Sequence, residues 1–294
     1  MASGGAKEVV LDNGNLRVVV SHHGAELQRI FSYTTNLDYL WSGDARFWNR
    51  RSPVLFPIVG ALKNNTYYYQ GRPYTLNRHG FARDQDFVSV QGNAESAGFA
   101  LHSNGRFISV YPFEFALYLN YSLSGDRLRV SYCVHNCGRE VMYFSLGAHP
   151  AFRVPLVPGT RYDDWYLEWE QPESLQCHRL NAEGLLYEQH PFLHEERRIP
   201  LKYELFFHDA LVLQPRSQRI ALKSDRFPHG LELAYPGFPF LGLWSAPNAD
   251  FVCLEPWIGH ADPVDTDQQL EHKPGMITLL PDQQFTASWQ VSFF

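Results

Sequence analysis

Three short segments carry residue types suited to acid–base chemistry. "SLGAHPAF" sets His149 between small residues and Pro150, and "FVCLEPWIG" sets Glu255 at the end of an apolar run, beside Pro256 and Trp257. "NRHGFARDQDF" holds Arg78, His79, Gly80 and Arg83. An imidazole and a carboxylate held against one ligand can exchange protons near neutrality, because their ordinary pKa values, about 6.5 and 4.3, straddle mildly acid pH. A carboxylate closing an apolar strand is expected to be part-buried, which raises its pKa. Pro256 cannot donate to a ladder, so the strand is expected to stop there, with Trp257 as a platform for a flat ligand face such as a sugar ring. Each residue also has a plain structural reading. Glu255 could pair with an arginine, His149 could be a hydrogen-bonded core histidine, and Arg83 could pair with Asp84 or Asp86. Residue types alone leave these alternatives open.

Other chemistries lack their motifs. There is no GxGxxG or Walker A loop, no HExxH and no GxSxG elbow. The 13 histidines are scattered, and neighbours such as His22 and His23 on a strand would face opposite ways, so no metal site is expected. Cys133 and Cys137 are spaced for neither a redox motif nor a standard zinc site, and the four cysteines read as reduced structural thiols.

The elements that must position these residues follow a period of two. In "NLRVVVSHHGAEL", Leu16, Val18 and Val20 alternate with Arg17 and Val19. "TYYYQGRPYTL" reads as strand, turn at Gln70-Gly71, strand. The clearest hairpin has arms Phe115–Leu123 and Arg127–Val134 around Gly125-Asp126. Further strands are expected at 165–170, 210–214, 219–223, 231–235, 241–245, 251–255 and 286–293. Helical signals are few. "GDARFWNRRS" could turn once or twice from Asp44, and "NAEGLLYEQH" and "PFLHEERRI" could hold short helices. Many strands without βαβ alternation imply a large antiparallel all-β protein, a sandwich or a barrel. With no linker or internal repeat, residues 1–294 are expected to form one domain.

Composition is consistent with that. The chain has 294 residues, 45% hydrophobic and 15% aromatic, enough for a sizeable core. The aromatic share suits pleated surfaces and also carbohydrate stacking. A net charge of −6 without a basic face gives no reason to expect nucleic acid. No apolar stretch approaches the roughly 20 residues of a membrane span. The opening "MASGGAKEVV" lacks a secretory apolar region, so no membrane association and a cytoplasmic location are expected.

Six segments, "LWSGDARFW", "PVLFPIVGALKNNTY", "RHGFARDQDF", "GAHPAF", "HDALVL" and "CLEPW", occur in an order that resembles the aldose 1-epimerase (galactose mutarotase-like) superfamily, and its LacX-like branch in particular. The resemblance spans nearly the whole chain. It implies a single β-supersandwich with a sugar cleft, no metal or organic cofactor, a small-molecule sugar as partner, and a monomer or weak homodimer. It also implies His149 as general acid, Glu255 as general base, His79 assisting at the sugar, and Asp209 holding sugar hydroxyls. Arg78, Arg83 and Trp257 join them as expected sugar-binding residues. One departure concerns an arginine that galactose mutarotases carry upstream of the first histidine. Ala61 stands near that place, with Lys63 or Arg51 as candidate substitutes. A hexose-6-phosphate branch shares the HGxAR segment, so Arg83 keeps a phosphosugar substrate in view.

The implied reaction interconverts sugar anomers by opening and closing the ring. Two rivals remain at this point. One is a non-catalytic sugar-binding protein on the same fold. The other is a hydrolase or lyase, for which Asp209 with Glu255 is the candidate carboxylate pair.

Overall fold

Alternating apolar residues become alternating burial. In the strand Leu16–Ser21, Leu16, Val18 and Val20 are buried and Arg17 faces solvent. The structure, a computed structural model, describes residues 7–294. The N-terminal stretch read for a targeting signal lies largely outside these residues. The clearest hairpin forms as Phe115–Ser124 and Arg127–Asn136, in continuous register. Its two-residue turn requires positive φ at the first position, and Gly125 supplies it at 56°. At Gln70-Gly71 both φ values are positive, 48° and 72°, which closes Thr66–Tyr69 on Arg72–Thr75.

Every strand pair among the described residues is antiparallel, and helical structure is confined to five 3₁₀ turns. A 15-stranded sheet holds most of the strand residues, with a four-stranded sheet of Glu8–Asp12, Leu16–Ser21, Leu27–Ser32 and Leu37–Asp38 beside it. One apolar cluster runs from Leu11 to Phe293 and includes the fully buried Trp165, Trp169 and Trp289. Among the described residues, no helix is long and apolar enough to cross a membrane.

One expectation is corrected. Of the two segments expected to hold short helices, 181–190 and 191–199, all but the turn at 181–185 lies in the strand Leu186–Pro200, paired with Tyr166–Leu180 in a long, bulged hairpin. Its exposed Glu, Gln and Arg side chains fit a helix as well as a strand, and the ladder between the arms decides. "GDARFWNRRS" makes one turn from Asp44, within what the sequence led one to expect: the Asp44 carbonyl accepts from the Phe47 and Trp48 N–H groups.

Within the large sheet, six consecutive strands frame one end: Val54–Leu55, Leu146–Ala148, Phe251–Ile258, Phe240–Trp244, Leu211–Leu213 and Tyr166–Leu180. The acid–base residues singled out above gather there.

Candidate active site

His149 and Glu255 meet because of strand register. The strand Phe251–Ile258 pairs with two short strands in succession, Gly147 opposite Trp257 and Ala151 opposite Cys253. The register is the same on both sides of the break, which sets His149 directly opposite Glu255. The Leu254 N–H donates to the Pro150 carbonyl at 3.1 Å, so the Pro150/Leu254 pair is a hydrogen-bonded position. The His149/Glu255 pair is therefore the non-hydrogen-bonded kind, in which side chains approach most closely. Their side chains touch, with His149 Nε2 3.2 Å from Glu255 Oε2. The expected stop at Pro256 does not occur, since the strand continues to Ile258 with Pro256 buried inside it. Pro256 and Pro150 each remove one ladder donor, so they loosen the hydrogen bonding around the pair while keeping its register.

Cys253, Glu255 and Trp257 alternate along this strand and share one face. Space for the Trp257 indole comes from glycines on both neighbouring strands. A Cβ on Gly242 would stand 2.6 Å from the ring, and one on Gly147 would stand 2.8 Å from it. The indole can therefore lie against the sheet and line a cavity of about 240 Å³. That is below the roughly 300–1,000 Å³ of drug-sized sites, so it suits a smaller ligand.

Aromatic rings enclose the imidazole. Trp48 stacks on His149 at 4.9 Å between centroids, and Trp244 meets it edge-on at 5.6 Å. Burial, assisted by the nearby Arg83 guanidinium, lowers the His149 pKa to about 3. Burial likewise raises the Glu255 carboxyl well above the carboxylate range, against the opposing pull of Arg78. Both groups are thus driven toward their neutral forms.

His79 enters from the loop after the Thr66–Thr75 hairpin. Its Nδ1 accepts the Gly60 N–H at 3.1 Å, which puts the remaining ring proton on Nε2 when the ring is neutral. Burial, with Arg78 beside it, keeps its pKa well below the usual value. Its ring lies 5.7 Å from that of His149. Arg78 and Asp209 form a two-pronged ion pair at 3.0 and 3.2 Å on the cavity wall. Asp209 also accepts the Ala210 N–H at 2.8 Å. Arg83 Nη2 donates to the Arg78 carbonyl at 2.8 Å, and burial lowers the pKa of its guanidinium. His79 and Asp209 both hold left-handed backbone, with φ of 70° and 72°, a conformation non-glycine residues adopt at a cost of about 1–3 kcal/mol.

The cavity thus brings together His79, His149, Glu255, Asp209, Arg78, Arg83 and Trp257. Lys63 is a correction: its ammonium binds the Val264 carbonyl at 2.7 Å, and it does not line the cavity. Arg51 is turned away as well, donating to Gln28 Oε1 at 2.6 Å. Neither supplies a side chain in place of an arginine near Ala61. Trp48 and Trp244 were missed. Trp48 sits on a segment pinned by the buried Glu26 carboxylate, which accepts the Arg51 and Ser52 N–H groups. Only its place inside a resembling segment marked it in the sequence.

The aldose 1-epimerase family model matches residues 7–275. Protein LacX of Lactococcus lactis is 35% identical over 295 residues, covering 97% of this chain and 98% of LacX. The crystal structure of a galactose mutarotase related enzyme from Lactobacillus acidophilus superposes with a TM-score of 0.94 at 34% identity, covering 98% of this chain and 97% of that one. A galactose mutarotase-like protein from Lactobacillus casei superposes with a TM-score of 0.91 at 29% identity, covering 98% and 100%. On the family match and the LacX relative together, this chain belongs to the aldose 1-epimerase family.

Proposed function

We propose that the protein interconverts the α and β anomers of an aldose, with Glu255 as base and His149 as acid. The observation that carries this reading is the 3.2 Å contact between an imidazole and a carboxyl on the wall of a cavity small enough for one sugar ring.

The pair is read as carrying one titratable proton, on either Glu255 or His149. In one form Glu255 is carboxylate and His149 is imidazolium. Glu255 takes the C1 hydroxyl proton, His149 gives a proton to the ring oxygen, and the C1–O5 bond breaks to leave the open-chain aldehyde. The pair is then neutral, the form that burial favours on both residues. After rotation about C1–C2, His149 takes the O5 hydroxyl proton and Glu255 returns a proton to the carbonyl oxygen as the ring closes on the other face. Each proton begins and ends on the pair. Positioned proton transfer contributes about 10²–10⁴-fold for each group. The His79 Nε2–H is suited to donate to a sugar oxygen, Asp209 to accept sugar hydroxyls, and Trp257 to support a ring face.

The 6-phosphate reading has less support, because Asp209 already neutralises Arg78 and the Arg78 carbonyl holds Arg83. Freshly dissolved single anomers, with and without 6-phosphate, followed by polarimetry and NMR exchange, test the proposal. Glu255→Gln and His149→Asn are each expected to lower accelerated mutarotation by about 10²–10⁴-fold with the fold intact. Wild-type rates in both variants would refute the assignment. Sugar binding without any rate enhancement by the native protein would make it a binding protein, and release of reducing ends from an oligosaccharide would make it a hydrolase.

A further inference from the structure

Cys253 lies two residues before Glu255 on the same face of its strand, behind the cavity wall. Its thiol is fully buried in an apolar group with Trp41, Ala151 and Phe251, against which Trp48 and Trp244 pack. One ligand atom each from His149, Cys253 and Glu255 lies within 4.8 Å of the other two. His149 Nδ1 and Glu255 Oε2 are buried, and neither makes a hydrogen bond within the protein. An imidazole, a thiol and a carboxyl are the donor types zinc prefers. Zinc–ligand bonds of about 2.0–2.3 Å place tetrahedral donors roughly 3.3–3.7 Å apart, so the widest pair has to close by about 1 Å. The fourth position would open on the cavity, the arrangement of a three-ligand zinc site with one exchangeable place.

We propose that His149, Cys253 and Glu255 form a binding site for a thiophilic divalent cation such as Zn²⁺, which on binding occupies the imidazole and carboxylate together and inhibits the protein reversibly. Ligation releases the thiol proton and any proton on the carboxyl to solvent. The inhibition rests on the reading of His149 and Glu255 as acid and base, but the binding does not.

A second cysteine–histidine pair lies on the surface, where Cys137 Sγ is 3.5 Å from His135 Nδ1. The test therefore uses protein carrying Cys133→Ser and Cys137→Ser. Titration with Co²⁺, read by absorbance, is expected to give a thiolate-to-cobalt charge-transfer band saturating at one ion per chain and lost on adding Zn²⁺. Adding Cys253→Ala is expected to abolish the band and weaken Zn²⁺ binding by about tenfold or more. Should that variant fail to fold, Cys253→Ser keeps the thiol's size and removes the soft donor, and His149→Asn is expected to weaken the same band. Where mutarotation is measurable, Zn²⁺ is expected to suppress it and EDTA to restore it, with the Cys253→Ala protein turning over normally but resisting zinc. Absence of the band, or its survival in folded Cys253→Ala protein, overturns the proposal whether or not the protein is a mutarotase.

Discussion

Glu255→Gln keeps the side chain's size and removes its ionisation, so it isolates what burial does to this carboxyl. In the folded protein burial holds the Glu255 pKa well above the ordinary 4.5, and unfolding returns it there. Between those two values the folded chain keeps a proton that the unfolded chain has released, so stability falls by about 1.4 kcal/mol per pH unit. His149 acts in the opposite sense. Its folded pKa is about 3 against an ordinary 6.5, so over that interval the unfolded chain holds the extra proton and stability rises with pH at the same slope. From 4.5 to 6.5 the two slopes offset one another, and above 6.5 only the Glu255 slope remains. In the variant the rise from His149 is expected to stand alone below 6.5, with no fall above it. The stability difference between variant and wild type should then widen in the variant's favour by about 1.4 kcal/mol per pH unit above 4.5, until the folded pKa is reached. Urea unfolding of both proteins at intervals from pH 4.5 to 8.5 measures this, because other titrating groups cancel in the difference. Parallel curves would refute the claim that burial suppresses the charge on Glu255.

Two further predictions follow from the cavity walls. Gly242→Ala sets a methyl against the Trp257 indole where a Cβ would stand 2.6 Å away, so it is expected to destabilise the fold by about 1–3 kcal/mol and to lower activity by shifting the ring. Urea unfolding and polarimetry check this, and a variant neutral in both would show that the two flanking glycines do not hold Trp257 in place. Asp209→Asn removes one partner of an ion pair that is partly exposed on both sides, so stability is expected to change by less than about 1 kcal/mol. Loss of a charged acceptor is expected to raise KM by about 10- to 100-fold. An unchanged KM would remove Asp209 from the sugar contacts.

What the sequence disclosed depended on whether the information was local. The hairpin Phe115–Asn136 was legible because one face of each arm is buried and Gly125 marks the turn. The Tyr166–Pro200 hairpin was not, because residues such as Glu188, Glu195 and Arg197 are exposed and carry no alternation for the eye to follow. The residue types of His149 and Glu255 could be read, but their contact could not. It depends on one strand keeping register with two others across Pro150, and on Pro256 continuing a strand that proline rules predict it will end. Lys63 attracted attention by charge and sequence position, whereas the path of the chain spends its ammonium on Val264. Trp48 lines the cavity because a buried glutamate far back in the chain, Glu26, anchors its loop, a connection with no signature in spacing.

The distribution of unsatisfied polar atoms separates function from architecture. Among the described residues, the buried side-chain atoms that make no hydrogen bond within the protein are Arg83 Nε, His149 Nδ1, Trp169 Nε1, Glu255 Oε2 and Trp257 Nε1. All but Trp169 belong to residues lining the candidate active-site cavity. A fold selected for stability alone has no reason to concentrate such atoms, since each costs about 1–3 kcal/mol if left without a partner. Elsewhere the same chain meets this demand: Glu173, fully buried, accepts from the Ser217 N–H and hydroxyl at 2.7 and 2.6 Å, and Lys273 is held by the His260 carbonyl and Asp262, both at 2.7 Å. The exceptions at the cavity are therefore the atoms whose hydrogen bonds water or a ligand there would complete. Donors on Arg83 and Trp257, set around an acid–base pair, suit a ligand rich in hydroxyl oxygens, and they would favour it over an apolar molecule of equal size.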